Sequence, residues 1–81
     1  DMKVWSQKTT ALACQNFMLS MRAYGFDSCP MEGLDSSRMK KILDLPRKAQ
    51  ICMAIGTGKR EDKGVYGSRL RFDKELFIKE V

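Results

Sequence analysis

Ala11, Cys14, Met18 and Met21 recur at spacings of three and four, the period of one helix face. Leu12, Phe17 and Tyr24 widen that stripe. The pattern predicts a helix from about Gln7 to Tyr24, with Ser6 or Thr9 capping its start through a hydroxyl. A helix of about 18 residues is a rod of about 27 Å. Gly25 stands where a left-handed residue closes a helix, with Phe26 behind it to pack. So broad a stripe predicts burial on more than one side, which makes Phe17, Met18 and Met21 core residues. Asp1 to Ser6 reads as a short lead-in that carries Trp5.

Beyond Gly25 the period changes. Ser28-Cys29-Pro30-Met31-Glu32-Gly33 reads as a stiff connector: Pro30 fixes one backbone angle, and Gly33 permits a close or left-handed backbone approach. Such a loop can offer backbone N–H groups to a flat polar ligand; an ordinary helix–helix turn has the same composition. Asp35 or Ser36 can cap a shorter helix, Ser36 to Leu43, with Met39, Ile42 and Leu43 on its inner face. Arg38, Lys40 and Lys41 face out or lie near its C-terminal end, and Pro46 forbids continuation. Ala49 to Thr57 reads as a strand around the unbroken run Ile51-Cys52-Met53-Ala54-Ile55, a pattern that fits cover on both faces. Arg60 to Gly67 is a charged, glycine-rich loop. Ser68 to Phe72 alternates, so Arg69 and Arg71 would point to one side of a strand. The tail from Leu76 to Val81 is apolar and extended in character, suited to docking on a sheet edge. The architecture expected is α+β in a single segment, residues 1–81: a long helix, a short helix, a central apolar strand and an extended C-terminal tail.

Composition narrows the possibilities. At 81 residues the chain is at most one small domain, and a core of that size rarely supplies more than about 3–5 kcal/mol without a staple. Cys14, Cys29 and Cys52 are odd in number and show no C-x-x-C spacing, and histidine is absent. That argues against a structural zinc site and a disulfide framework, and reduced thiols suit the cytoplasm. An apolar fraction of 43% with 31% charged residues is a folding composition. The longest apolar run, Ile51 to Ile55, is far too short to span a bilayer, and no signal peptide is visible. The net charge of +5 favours anionic partners. Lysine and arginine are interleaved with acids, however, which is a thin footprint for nucleic acid.

No catalytic constellation stands alone. The commonest general base is missing, and no serine or cysteine has a visible activating partner. Cys29 fits the usual buried, inert thiol. Gly56-Thr57-Gly58-Lys59 is not a phosphate loop: Met53 occupies the required first glycine and Arg60 the required Ser or Thr. Arg69 and Arg71 can clamp a phosphate bidentately or form a solvated basic edge.

An ordered set of segments is more specific. Asn16 to Leu19, Arg22 to Gly33, a helix ending in Leu43-Asp44-Leu45-Pro46, a strand running into Gly58-Lys59-Arg60, Tyr66 to Phe72 and the ending Phe77 to Val81 together resemble the C-terminal part of the nitroreductase family of flavin enzymes. That resemblance implies an α+β fold around a mixed or antiparallel sheet, an intimate homodimer and FMN at the dimer interface. It implies hydride exchange with NAD(P)H as co-substrate and electron transfer to a small-molecule acceptor, a nitroaromatic, quinone or similar compound. Pro30, Met31, Glu32 and Gly33 match the segment beside the isoalloxazine ring, where backbone N–H groups near Glu32 and Gly33 would meet its N5/O4 edge. Arg69 matches a basic position at the flavin phosphate, with Arg71 a weaker match; Gly67 stands where some relatives carry a second basic residue. The tail matches a segment that reaches the other subunit. The family's N-terminal half, with its Arg/Ser-rich flavin segment, has no counterpart in these residues, so the 81 residues alone are expected to bind flavin weakly and to be inactive. No residue here is expected to act as a catalytic acid, base or nucleophile, and none as a metal ligand. Two other functions remain open on composition: a small basic module for nucleic acid or another polyanion, and a non-catalytic oligomerising segment.

Overall fold

The first helix, α1, runs from Met2 to Ala23 and includes the residues expected to lead into it. Nothing in Met2-Lys3-Val4-Trp5 breaks a helix, and the Asp1 carboxylate accepts the Lys3 N–H at 2.8 Å. Asp1 is therefore the N-cap, not Ser6 or Thr9. The Ser6 hydroxyl instead donates back to the Lys3 carbonyl at 2.9 Å, within the helix. The C-terminus closes as its glycine requires: Gly25 has φ 87, its N–H reaches the Arg22 carbonyl at 3.0 Å, and the Phe26 N–H reaches that of Met21 at 2.9 Å. This pair of bonds is a Schellman closure.

The computed structural model describes residues 1–81. After α1 come β1 (Asp27–Met31), α2 (Ser36–Ile42) and β2 (Ala54–Gly58), then single 3₁₀ turns at Asp62–Gly64 and Lys74–Leu76. β1 and β2 pair antiparallel, with Asp27 opposite Gly58, Pro30 opposite Ile55 and Met31 opposite Ala54. The result is α+β, with two helices and a two-stranded sheet. Ser28 to Met31 is therefore strand and not connector. Its ladder partner lies far along the chain, and the local residues, proline among them, are poor strand formers. The central strand is also shorter than expected. Residues 49 to 53 lie outside the ladder, which takes up only Ala54 to Gly58.

The half-buried positions of α1 include Ala11, Cys14, Met18 and Met21, the predicted stripe. Leu12, Phe17 and Tyr24 are open to solvent, so the wider stripe is not covered by this chain and Phe17 is not the core residue expected. Trp5, Leu12 and Leu19, seven residues apart, lie on roughly the opposite side of the helix and are also exposed. α1 touches the segment before β2 through Gln7: its side chain meets that of Gln50 at 3.5 Å, and the Cys52 Sγ lies 3.6 Å from its carbonyl oxygen.

α2 begins as expected, with the Asp35 carboxylate accepting the Arg38 N–H at 3.1 Å. It ends at Ile42, and Asp44 turns the chain with φ 52 before Pro46. Its expected inner face is only partly formed. Met39 is half-buried, while Ile42 and Leu43 are exposed. Lys40, expected to face out, is half-buried because its Nζ donates to the Arg47 and Ala49 carbonyls at 3.1 and 3.2 Å. Residues 68 to 72 form no strand, and the tail folds only as the turn at Lys74–Leu76.

No residue is fully buried. The radius of gyration is 16.1 Å, against about 12 Å for a compact chain of this length. The accessible surface is 7953 Å², against about 5,000 Å² for a compact monomer of this mass. Elements form, then, but they do not close around a core of their own. No helix is long and apolar enough to cross a membrane.

Candidate functional site

The β1–β2 pair has two ends, each with candidate binding groups. Four residue steps, about 13 Å of strand, separate Met31 from Asp27. At the Met31 end the chain leaves β1 into Glu32 and Gly33. The Glu32 carbonyl accepts the Leu34 N–H at 2.9 Å, which makes a tight turn. The N–H groups of Glu32 and Gly33 donate to no other backbone group of the chain. Gly33 has no heavy atom within 4 Å of where a Cβ would stand, and its φ is not left-handed. Of the two roles open to this glycine, left-handed geometry is not adopted, and no group of the chain approaches it closely. Pro30 sits in the strand opposite Ile55, and its ring fixes the backbone leading to the turn. Met31 is 46% exposed and flanks the same turn. Cys29 is exposed, not buried as expected, because its strand has no cover on that face.

At the other end Asp27 binds three groups. Its Oδ1 accepts from Arg60 Nη2 at 2.8 Å and from Arg22 Nη1 at 3.1 Å, and its Oδ2 accepts the Arg60 backbone N–H at 3.3 Å. This ties the end of α1, the start of β1 and the chain just past β2 into one knot. The Arg60 side-chain hydrogen bond is the main cause holding the Asp27 carboxyl below its ordinary range, and the same bond raises Arg60. Partial desolvation opposes the shift on both.

Beside this knot opens a cleft of about 630 Å³, lined by Asp27, Gly56, Gly58, Arg60, Gly64 and Arg69 among others. A Cβ at Gly56 would make an ordinary contact with the Met31 Cε at 3.6 Å. Arg69 thus reaches the cleft. Arg71 does not line it; its Nη1 folds back onto the neighbouring Leu70 carbonyl at 2.8 Å. The common side expected for the two arginines is not formed, because the strand that would create it is absent. Asp27 and Arg60 were not legible as site residues. A charged residue opening a strand, with a basic one just after the facing strand, was the available signal. No cluster of acids, cysteines or histidines able to hold a metal ion is present.

Comparison with known proteins decides the family. The model of the nitroreductase family matches residues 1–59, most of the chain. This chain belongs to the nitroreductase family. Protein DrgA of a Synechocystis species is 37% identical over 57 residues, which cover 70% of this chain and 27% of that protein. The NADH dehydrogenase of Thermus thermophilus is 31% identical over 72 residues, 89% of this chain and 35% of that protein. MhqN of Bacillus subtilis, provisionally named an NAD(P)H nitroreductase, is 35% identical over 54 residues, 67% of this chain and 26% of that protein. The chain therefore spans 26–35% of the length of these relatives. No solved structure matches it. The family match includes the Met31 to Gly33 turn and stops short of Arg60, Arg69 and Arg71.

Proposed function

We propose that these residues form part of an FMN site in a nitroreductase-family oxidoreductase that passes electrons from NAD(P)H to a nitroaromatic, quinone or similar acceptor. The observation that carries this reading is the pair of unbonded N–H groups at Glu32 and Gly33, beside a proline-stiffened strand end. Bare donors on an accessible turn fit the acceptor atoms along one edge of an isoalloxazine ring. The donor set at the far end of the strand pair fits the cofactor as well, since Arg69 brings a cation to a glycine-walled cleft. Pro30 and Met31 would position the ring, Glu32 and Gly33 would hold its edge, and Arg69 would hold the phosphate. Arg71 takes no part in this arrangement.

Bound FMN would supply the two-electron chemistry that no side chain here offers. The chain's own contribution is to bind, orient and polarise. Backbone donors aimed at the ring edge favour the form that carries more negative charge there, which raises the readiness of the ring to accept electrons. Glu32 acts through its backbone, and its carboxylate has no assigned proton to move.

The 81 residues read as the C-terminal portion of one nitroreductase-like domain. The uncovered side of α1 and the exposed Leu76, Phe77 and Ile78 support the view that the parent chain and a second subunit complete the fold. A polyanion-binding module is disfavoured, because the basic edge it needs at Arg69 and Arg71 is not formed. The test is to purify the full-length protein, look for bound flavin and follow NAD(P)H oxidation with a quinone or nitroaromatic present. Bound flavin with turnover supports the reading, and a colourless, inactive protein overturns it.

A further inference from the structure

The cleft beside Asp27 holds more cationic capacity than the single Arg69 used above. Arg60 is 52% exposed and lines the same cleft. A guanidinium has five N–H donors in a rigid fork. Within the chain only the Arg60 Nη2 is engaged, at 2.8 Å from Asp27 Oδ1, so Nη1 and Nε make no hydrogen bond. The side chain is also anchored at its root, since its own backbone N–H donates to Asp27 Oδ2 at 3.3 Å. Asp27 is held in turn by Arg22 from the end of α1. The carboxylate thus grips one part of the fork and leaves the rest free. An arginine fixed in this way is set for planar, bidentate recognition of a phosphate. Gly56, Gly58 and Gly64 line the same cleft, and no side chain of theirs obstructs an approaching anion. Lys59 adds charge and Glu61 subtracts it, so the lining residues carry a net excess of one positive charge.

We propose that Arg60, oriented by Asp27, is the second guanidinium of a phosphomonoester subsite whose first is Arg69. This rests on the FMN reading, and the phosphate concerned is taken to be that of FMN. Asp27 is a positioning residue, acting only through Arg60. The 2′-phosphate of NADPH offers the same chemistry, so the test separates the two sources.

The test uses the full-length protein stripped of flavin. FMN and riboflavin affinities are measured by flavin fluorescence for the wild type, Arg60→Gln, Arg60→Lys and Asp27→Asn. KM values for NADPH and NADH are measured on the flavin-loaded proteins. Arg60→Gln is expected to weaken FMN about tenfold or more while leaving riboflavin unchanged, as loss of a charge-assisted pair to phosphate requires. Arg60→Lys should recover part of that loss, because it restores charge without the fork. Asp27→Asn should weaken FMN several-fold with riboflavin again unchanged, although every cation is still present. Equal losses for both flavins would show a merely structural role and overturn the proposal, as would no loss at all. A change confined to NADPH relative to NADH would overturn the assignment to FMN. A wild type that holds flavin while Arg60→Gln behaves identically overturns this inference alone. A wild type that holds none overturns the function proposed above as well.

Discussion

Leu19→Ala in the full-length protein tests whether α1 is covered on both sides. In the 81-residue structure Leu19 is 61% exposed, on roughly the opposite side from the half-buried stripe of Ala11, Cys14, Met18 and Met21. Were the chain complete in itself, truncating so exposed a leucine would cost within about 0.5 kcal/mol. The surface says otherwise. Some 7953 Å² is accessible, about 3,000 Å² more than a compact monomer of this mass exposes. Covering the rest of Leu19 is worth about 1.2 kcal/mol in transfer alone, taking about 2 kcal/mol for a fully buried leucine. A residual cavity adds to that, so a total of about 2–4 kcal/mol is expected. For a chain of the length its relatives imply, that is a fall in Tm of roughly 5–15 °C. Calorimetry or circular dichroism on the full-length protein measures it. A loss below about 0.5 kcal/mol would refute the reasoning, because it would leave this face open to water in the assembled protein.

Three further outcomes follow from the same geometry. Gly25→Ala should destabilise the full-length protein by about 1–2 kcal/mol in denaturant melts, since φ 87 is a left-handed position and nothing else crowds it. Asp27 has a folded-state pKa below its ordinary 3.8, so its ion pairs contribute stability that is fully present above that value. The contribution is lost as pH falls through the folded pKa. Asp27→Asn should accordingly be less stable than wild type at neutral pH and converge with it in strong acid. The isolated 81-residue polypeptide should melt without a cooperative transition and bind FMN weakly or not at all. A sharp transition with a radius of gyration near 12 Å, as a compact chain of this length would have, would contradict that.

The helices were legible in the sequence because their signals are local. The three-and-four spacing of Ala11, Cys14, Met18 and Met21 marked the covered stripe, Gly25 the closure and Asp35 the second cap. What the sequence concealed depends on distant pairing. β1 is built from Asp-Ser-Cys-Pro-Met and becomes a strand only because Ala54 to Gly58 lies opposite. The expected strand under Arg69 and Arg71 does not form, which separates two side chains that alternation had placed together. Lys40 turned inward because two carbonyls past Pro46 needed donors. For the candidate site, proline and glycine marked the stretch at Glu32 and Gly33 only as a stiff connector, and the family resemblance alone gave it a flavin role, whereas the Asp27–Arg60 pair was invisible: its members lie 33 positions apart.

The most direct measurement is amide hydrogen exchange at Glu32 and Gly33 in the full-length protein, with and without FMN. Both N–H groups are unbonded within this chain, so they should exchange rapidly in the stripped protein and slow markedly when FMN binds. Unchanged exchange at these two amides in a protein that demonstrably holds FMN would contradict the claim that this turn grips the ring edge.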